Sequence, residues 1–84
     1  MLSEMIFYTR PACHLCESAL PYARRAARIF GRRLQVIDID SDDELVVEYG
    51  LRVPVLTTSG GELIAEGNFG MREIVGGLIG RRWR

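Results

Sequence analysis
At 84 residues the chain has room for one small domain, residues 1–84, whose hydrophobic core has little margin. Eleven arginines balance eleven acids and no lysine occurs, so the overall charge gives no support to a nucleic-acid partner. Met1 to Glu4 hold no basic stretch ahead of an apolar one, and no apolar run approaches bilayer length, so no membrane partner is expected; the expectation is a soluble, cytoplasmic monomer.

Met5 to Thr9 is a short β-rich run, and Pro11 blocks its continuation just before Cys13 and Cys16. Cys16, Ala19, Leu20, Ala23, Ala26, Ala27 and Phe30 then recur at helical spacing, with Glu17, Ser18, Arg24, Arg25 and Arg28 on the other side. This pattern predicts an amphipathic helix capped near Gly31. Pro21 falls inside it, and because the stripe keeps its phase beyond, the proline is expected to kink the helix without ending it.

Leu34 to Ile39 reads as a second strand. Ser41-Asp42-Asp43-Glu44 has capping-box spacing, which predicts that the serine hydroxyl and the glutamate carboxylate satisfy each other's N–H groups. The short helix they open runs through Tyr49 and stops at Gly50. Val53 to Thr58 and Glu62 to Ala65 are expected to form a hairpin around Ser59-Gly60-Gly61. Met71, Ile74, Val75, Leu78 and Ile79 define a last helix, in which Gly76, Gly77 and Gly80 each cost about 1 kcal/mol relative to alanine. The order is thus β-α-β-α-β-β-α, an α/β fold with a right-handed crossover between the first two strands. Arg24, Arg25, Arg28, Arg32 and Arg33 precede Asp38, Asp40, Asp42, Asp43, Glu44 and Glu48, a segregation read as solvated faces, with a docking surface as the alternative. Arg81, Arg82, Trp83 and Arg84 follow the last helix, and Trp83 is as fitted to cover an apolar gap as to bind.

Chemistry concentrates where the first strand meets the first helix. Both thiols should lie in that helix's first turn, where unpaired N–H groups and the macrodipole favour thiolate over thiol. Cys13, at the helix start, gains most, and Cys16, one turn in, is shielded. A disulfide between positions i and i+3 closes too short a loop to constrain the unfolded chain much, which favours reversible thiol chemistry over a structural staple. In a reducing compartment such a pair is catalytic or metal-binding.

Cys-x-x-Cys at the strand-to-helix junction of a β-α-β unit, with a Val-Pro pair opening a later hairpin strand, resembles the thioredoxin superfamily and its glutaredoxin branch in particular. Tyr8-Thr9-Arg10 followed by Cys13-His14-Leu15-Cys16 is similar to the glutaredoxin active-site segment, in which a basic residue stands three positions before the first cysteine. Leu51-Arg52-Val53-Pro54 is similar to the family's Thr-Val-Pro element, whose proline is cis, and Pro21 to the helix-kinking proline of thioredoxins. Thr9 to Leu20, with Val36-Ile37-Asp38-Ile39-Asp40 and Tyr49 to Leu56, most resembles a group of small bacterial glutaredoxin-like proteins. There are departures. His14 and Leu15 stand where glutaredoxins usually carry proline and tyrosine, and Phe7 falls near the place of thioredoxin's buried acid. Gly67-Asn68-Phe69-Gly70-Met71 occupies the region of the Gly-Gly-x-Asp or Ser element that holds the glutamyl end of glutathione.

The resemblance implies a thioredoxin/glutaredoxin-like fold, a four-stranded mixed sheet flanked by helices. It also implies a thiol–disulfide oxidoreductase in which Cys13 is the nucleophile and Cys16 resolves the mixed disulfide. The substrate is then a disulfide-containing protein or a glutathione mixed disulfide. No bound cofactor is expected, with glutathione as a candidate co-substrate and a thioredoxin-type reductase as a candidate partner. Arg10 is a candidate for forking a substrate carboxylate, and His14, when protonated, for supporting the Cys13 thiolate. Val53, its N–H and C=O freed from the sheet by Pro54, is a candidate for pairing with an extended substrate segment. Tyr8 and Phe69 are candidates for an apolar rim, although core packing suits them as well. No metal site is expected within the chain, because a tetrahedral zinc site or an iron–sulfur cluster needs ligands beyond Cys13, Cys16 and His14, hence a second subunit. Such a dimer-bridged site, or a redox-sensing module without turnover, is the alternative.

Overall fold
Alternation along the first strand decides which face of the sheet becomes the core. In the computed structural model, which describes residues 4–82, strand β1 (Glu4–Thr9) points Met5 and Phe7 inward, both 0% exposed, and leaves Glu4, Ile6 and Tyr8 on the opposite face. Helix α1 (His14–Ile29) lies on the Met5/Phe7 face through Cys16, Ala19, Ala23, Ala26 and Ala27, small residues that let helix and sheet approach closely. It runs through Pro21 and ends in a Schellman motif: Gly31 takes φ +66°, and the Arg32 N–H reaches back to the Ala27 carbonyl at 2.8 Å. The buried stripe stops at Ala27, and Phe30, expected inside, is exposed because it caps the helix end.

Strand β2 (Arg33–Asp38) pairs with β1 in parallel, from Glu4 opposite Arg33 to Thr9 opposite Asp38. It ends one residue earlier than expected because Ile39 turns inward, fully buried, to begin a 3₁₀ turn over Ile39–Ser41. That turn also displaces the expected cap of helix α2 (Asp43–Tyr49). The Ser41 hydroxyl donates to the Asp38 carbonyl at 2.6 Å, and Asp42 caps α2 by accepting from the Glu44 N–H at 2.9 Å. The serine closes the preceding turn and the aspartate behind it, in extended backbone, takes the cap.

Strand β3 (Val55–Thr58) runs antiparallel to β1, and β4 (Leu63–Glu66) antiparallel to β3, giving the order β2-β1-β3-β4. β3 begins two residues later than the apolar run suggests, because Pro54 has no N–H to give to a ladder. Leu56 pairs with Ala65 but Thr57 with Leu63, so Ile64 is the extra residue of a bulge in β4. Helix α3 (Met71–Arg82) covers the core face beside α1 through Ile74 and Leu78, and Phe69 meets Phe7 edge to face at 6.2 Å between ring centroids. α2 belongs to the other face, where its Tyr49 stacks on Tyr8 at 4.2 Å and 20°. Phe69 is therefore core, and Tyr8 is half-buried beneath Tyr49. The mixed four-stranded sheet flanked by helices is the architecture that the resemblance implied. Among the described residues no helix is long and apolar enough to cross a membrane. Trp83 and Arg84 lie outside the described residues, as do Met1, Leu2 and Ser3.

Candidate redox site
Beyond Thr9 the chain must turn from strand to helix within four residues, and it does so through Ala12, whose φ of +60° is left-handed. For a residue with a Cβ that conformation costs about 1–2 kcal/mol, and here it aims the next residue at the helix start. Cys13 is the N-cap of α1: its Sγ accepts the Cys16 N–H at 3.1 Å, and its carbonyl accepts the Glu17 N–H at 3.1 Å. The hydrogen bond to sulfur counts most, because an N–H aimed at Sγ at the positive end of the helix stabilises a thiolate more than a thiol. Cys13 and Cys16 are joined in a disulfide, with Cα atoms 5.2 Å apart, so the structure shows the oxidised pair. The two sulfurs differ in access. Cys13 is half-buried at the surface, whereas Cys16 is 2% exposed within the core cluster, the asymmetry expected of an attacking and a resolving thiol.

Sheet register brings a second segment to this place. Tyr8 is the last residue of β1 paired with β3 and lies opposite Val55, so the chain beyond Thr9 and the Val53–Pro54 pair leave the sheet at one edge. Val53–Pro54 is a cis peptide, and both Val53 and Cys13 pack against the core cluster. Val53 is only half free to meet another chain. Its N–H donates to the Tyr49 carbonyl at 3.0 Å, because α2 ends by turning its last carbonyls toward this loop, and only the Val53 carbonyl has no hydrogen-bond partner among the described residues. The buried Pro54 accepts the Gly67 N–H at 2.8 Å.

Arg10 is already occupied. Its guanidinium binds Asp40 at 2.8 Å and donates to the Gly50 carbonyl at 3.4 Å, so the fork read as a carboxylate holder ties the cysteine loop to both ends of the 3₁₀–α2 segment. His14 and Leu15 project into solvent beside Cys13. Among the described residues no group of three or more His, Cys, Asp or Glu side chains is placed to hold a metal ion.

Three contributors escaped the sequence reading. Arg52, next to Val53, binds Glu66 at 2.8 Å and Glu48 at 3.1 Å and lies 5.3 Å from the Tyr49 ring centroid, so it fastens the cis-proline loop to α2 and β4 together. The hydrogen bond to Glu66 is the main reason its guanidinium is held still more firmly protonated than usual. Glu73 accepts the Gly70 N–H at 2.8 Å at the start of α3, which holds its carboxyl below the ordinary range. Asp40 is the third, as the partner of Arg10. The Glu48–Arg52 spacing of four was legible; the ties to Glu66 and Asp40 cross 14 and 30 residues of chain and were not. Beneath the loop, burial first and the neighbouring Tyr49 second push the Tyr8 phenol upward, so it stays neutral.

A family model described as glutaredoxin-like domain (DUF836) matches residues 4–75. No curated protein matches the chain. Among solved structures, a structural-genomics target protein from X. campestris is 30% identical, with a TM-score of 0.70 over 90% of this chain and 96% of that one. Protein Ne2328 from Nitrosomonas europaea is 28% identical, with a TM-score of 0.74 over 93% of this chain and 92% of that one. Thioredoxin 1 from Thermosipho africanus, 18% identical with a TM-score of 0.70 over 95% of this chain and 94% of that one, shares the fold. With the Cys13–Cys16 pair, these likenesses support a redox role.

Proposed function
The chain belongs to the glutaredoxin-like domain (DUF836) family, and on that premise we propose that it is a thiol–disulfide oxidoreductase that reduces protein disulfides or glutathione mixed disulfides. The observation that carries this reading is the asymmetry of the pair: an accessible Cys13 whose sulfur receives a helix N–H, and a buried Cys16 one turn behind it.

In the reduced protein the Cys13 thiolate attacks one sulfur of the substrate disulfide. The new Cys13–substrate bond forms as the substrate S–S bond breaks, and the first substrate sulfur leaves as a thiolate that takes up a proton. Cys16 then loses its proton and attacks Cys13 Sγ. The mixed disulfide breaks, the second substrate thiol is released, and the Cys13–Cys16 disulfide remains. Two electrons have passed from the dithiol to the substrate. Two equivalents of glutathione, or a thioredoxin-type reductase, return them. The free Val53 carbonyl offers one acceptor to an extended substrate backbone, a smaller contribution than the donor–acceptor pair the sequence suggested. The exposed His14 beside the sulfur adds positive charge when protonated, which favours the thiolate.

The test compares turnover of a glutathione mixed disulfide with reduction of a protein disulfide, in wild type and Cys16→Ser. Activity on the glutathione substrate that survives the substitution identifies a monothiol, glutathione-driven route. Complete dependence on Cys16 and on a thioredoxin-type reductase identifies a dithiol route. Absence of turnover with either donor refutes the oxidoreductase reading.

A further inference from the structure
The described arginines fall into two kinds. Arg10 and Arg52 are paired with carboxylates, while Arg24, Arg28 and Arg32 have no ion pair among the described residues. These three wall a groove of about 410 Å³ whose floor is Ala27 and Leu34. Arg24 and Arg28 stand four apart on the solvent side of α1, one turn above the other, which sets like charges side by side on a helix whose one acid is Glu17. Their stems and the floor are apolar and their tips cationic, so the groove fits an apolar knob ringed by anions.

Such a knob stands on the same molecule. Val47 is 88% exposed on α2, one turn beyond Asp43 and beside Glu44, two carboxylates that form no ion pair among the described residues. α1 and α2 occupy opposite faces of the sheet, so knob and groove of one chain cannot meet. From this complementarity we infer that the groove receives Val47, with Asp43 and Glu44, of a second copy of this chain. The contact is head to tail, since each copy offers a knob on one side and a groove on the other. It is also weak: α2 is seven residues, about 10 Å long, too short for a standard interface. A nucleic acid suits the groove less well. β2 begins at Arg33 and ends at Asp38 about 17 Å away, so a polyanion laid along the arginines runs on toward the acidic 3₁₀–α2 segment.

Analytical ultracentrifugation of the full chain, with and without salt, tests this. Wild type should exceed the monomer mass of 9.5 kDa increasingly with concentration at about 0.01 M salt, and return to it near 1 M, where screening is complete within about 3 Å. Arg24→Gln/Arg28→Gln removes two of the groove's three charges and Val47→Arg replaces the knob; all three substituted positions are exposed, and far-UV circular dichroism checks the fold. Each variant alone should stay monomeric, while their equimolar mixture, one supplying the knob and the other the groove, should form a complex of twice the monomer mass and no larger. A wild-type protein that is monomeric throughout, self-association by either variant, or a mixture that fails to pair overturns the inference.

Discussion

Gly77 offers a test of how α3 is seated. From sequence it is one of three helix-weakening glycines, but a Cβ there would stand 2.2 Å from the Ile64 carbonyl oxygen, 3.0 Å from its carbon and 3.1 Å from Cγ2. Contact distance for such atoms begins near 3.4 Å, so accepting a methyl requires α3 to retreat from β4 by about 1 Å. The obstacle is backbone, held at a bulge between residues paired to β3, and it has no rotamer to change. Overpacking of this kind costs about 1–3 kcal/mol, and alanine's helix propensity returns about 1, so Gly77→Ala should bring no gain and destabilise by up to about 2 kcal/mol. Gly76 is the internal control. Nothing lies within 4 Å of its would-be Cβ, so Gly76→Ala should stabilise by up to about 1 kcal/mol. Urea unfolding followed by circular dichroism, with the m-value checked for constancy, measures both. If the two alanine variants prove equally stable, the close approach of α3 to β4 is not what that glycine serves.

Three further outcomes follow from the site. In the reduced protein iodoacetamide should modify Cys13 well before Cys16, with the rate rising at a pH below that of a free thiol; equal labelling of the two by mass spectrometry would remove the basis for their roles. Arg52→Gln should raise KM for a protein disulfide while leaving the Cys13 alkylation rate unchanged, and should cost about 1 kcal/mol or less in urea, since both its ion pairs are exposed. Because Glu73 has its carboxyl pKa depressed by the Gly70 N–H, its contribution to stability is present above the unfolded carboxylate range and lost as pH falls through the lower folded value. The stability gap between wild type and Glu73→Gln should therefore be constant near neutrality and shrink in acid; a gap that widens in acid contradicts the cap.

What could be read in the sequence was what depends on period and local spacing. Met5 to Thr9 announces a strand by its β-rich composition, the alanines of α1 their face by recurrence every three or four residues, and Gly31 the helix end by its place after the last turn. The dithiol geometry was legible too, since an N-cap and a residue three further on share the first turn of any helix. What escaped depends on groups far apart in the chain. No local signal says that Arg10 will meet Asp40, that the end of α2 will spend the Val53 N–H, or that Gly77 faces a bulged carbonyl. The cap of α2 failed for a nearer reason: Ser41 and Asp42 both suit the position, and the choice fell to whichever the preceding 3₁₀ turn left in extended backbone.

The strand that carries the dithiol loop is an interior one, with β2 bonded along one side and β3 along the other. If a protein substrate is held on Cys13, as proposed above, any tug from its thermal motion travels down that loop into β1. Two ladders must shear together before β1 can yield, whereas an edge strand would peel one bond at a time. The proposed tether is thus anchored to a strand held on both sides, and the edge strands, β2 and β4, are the two from which no load hangs.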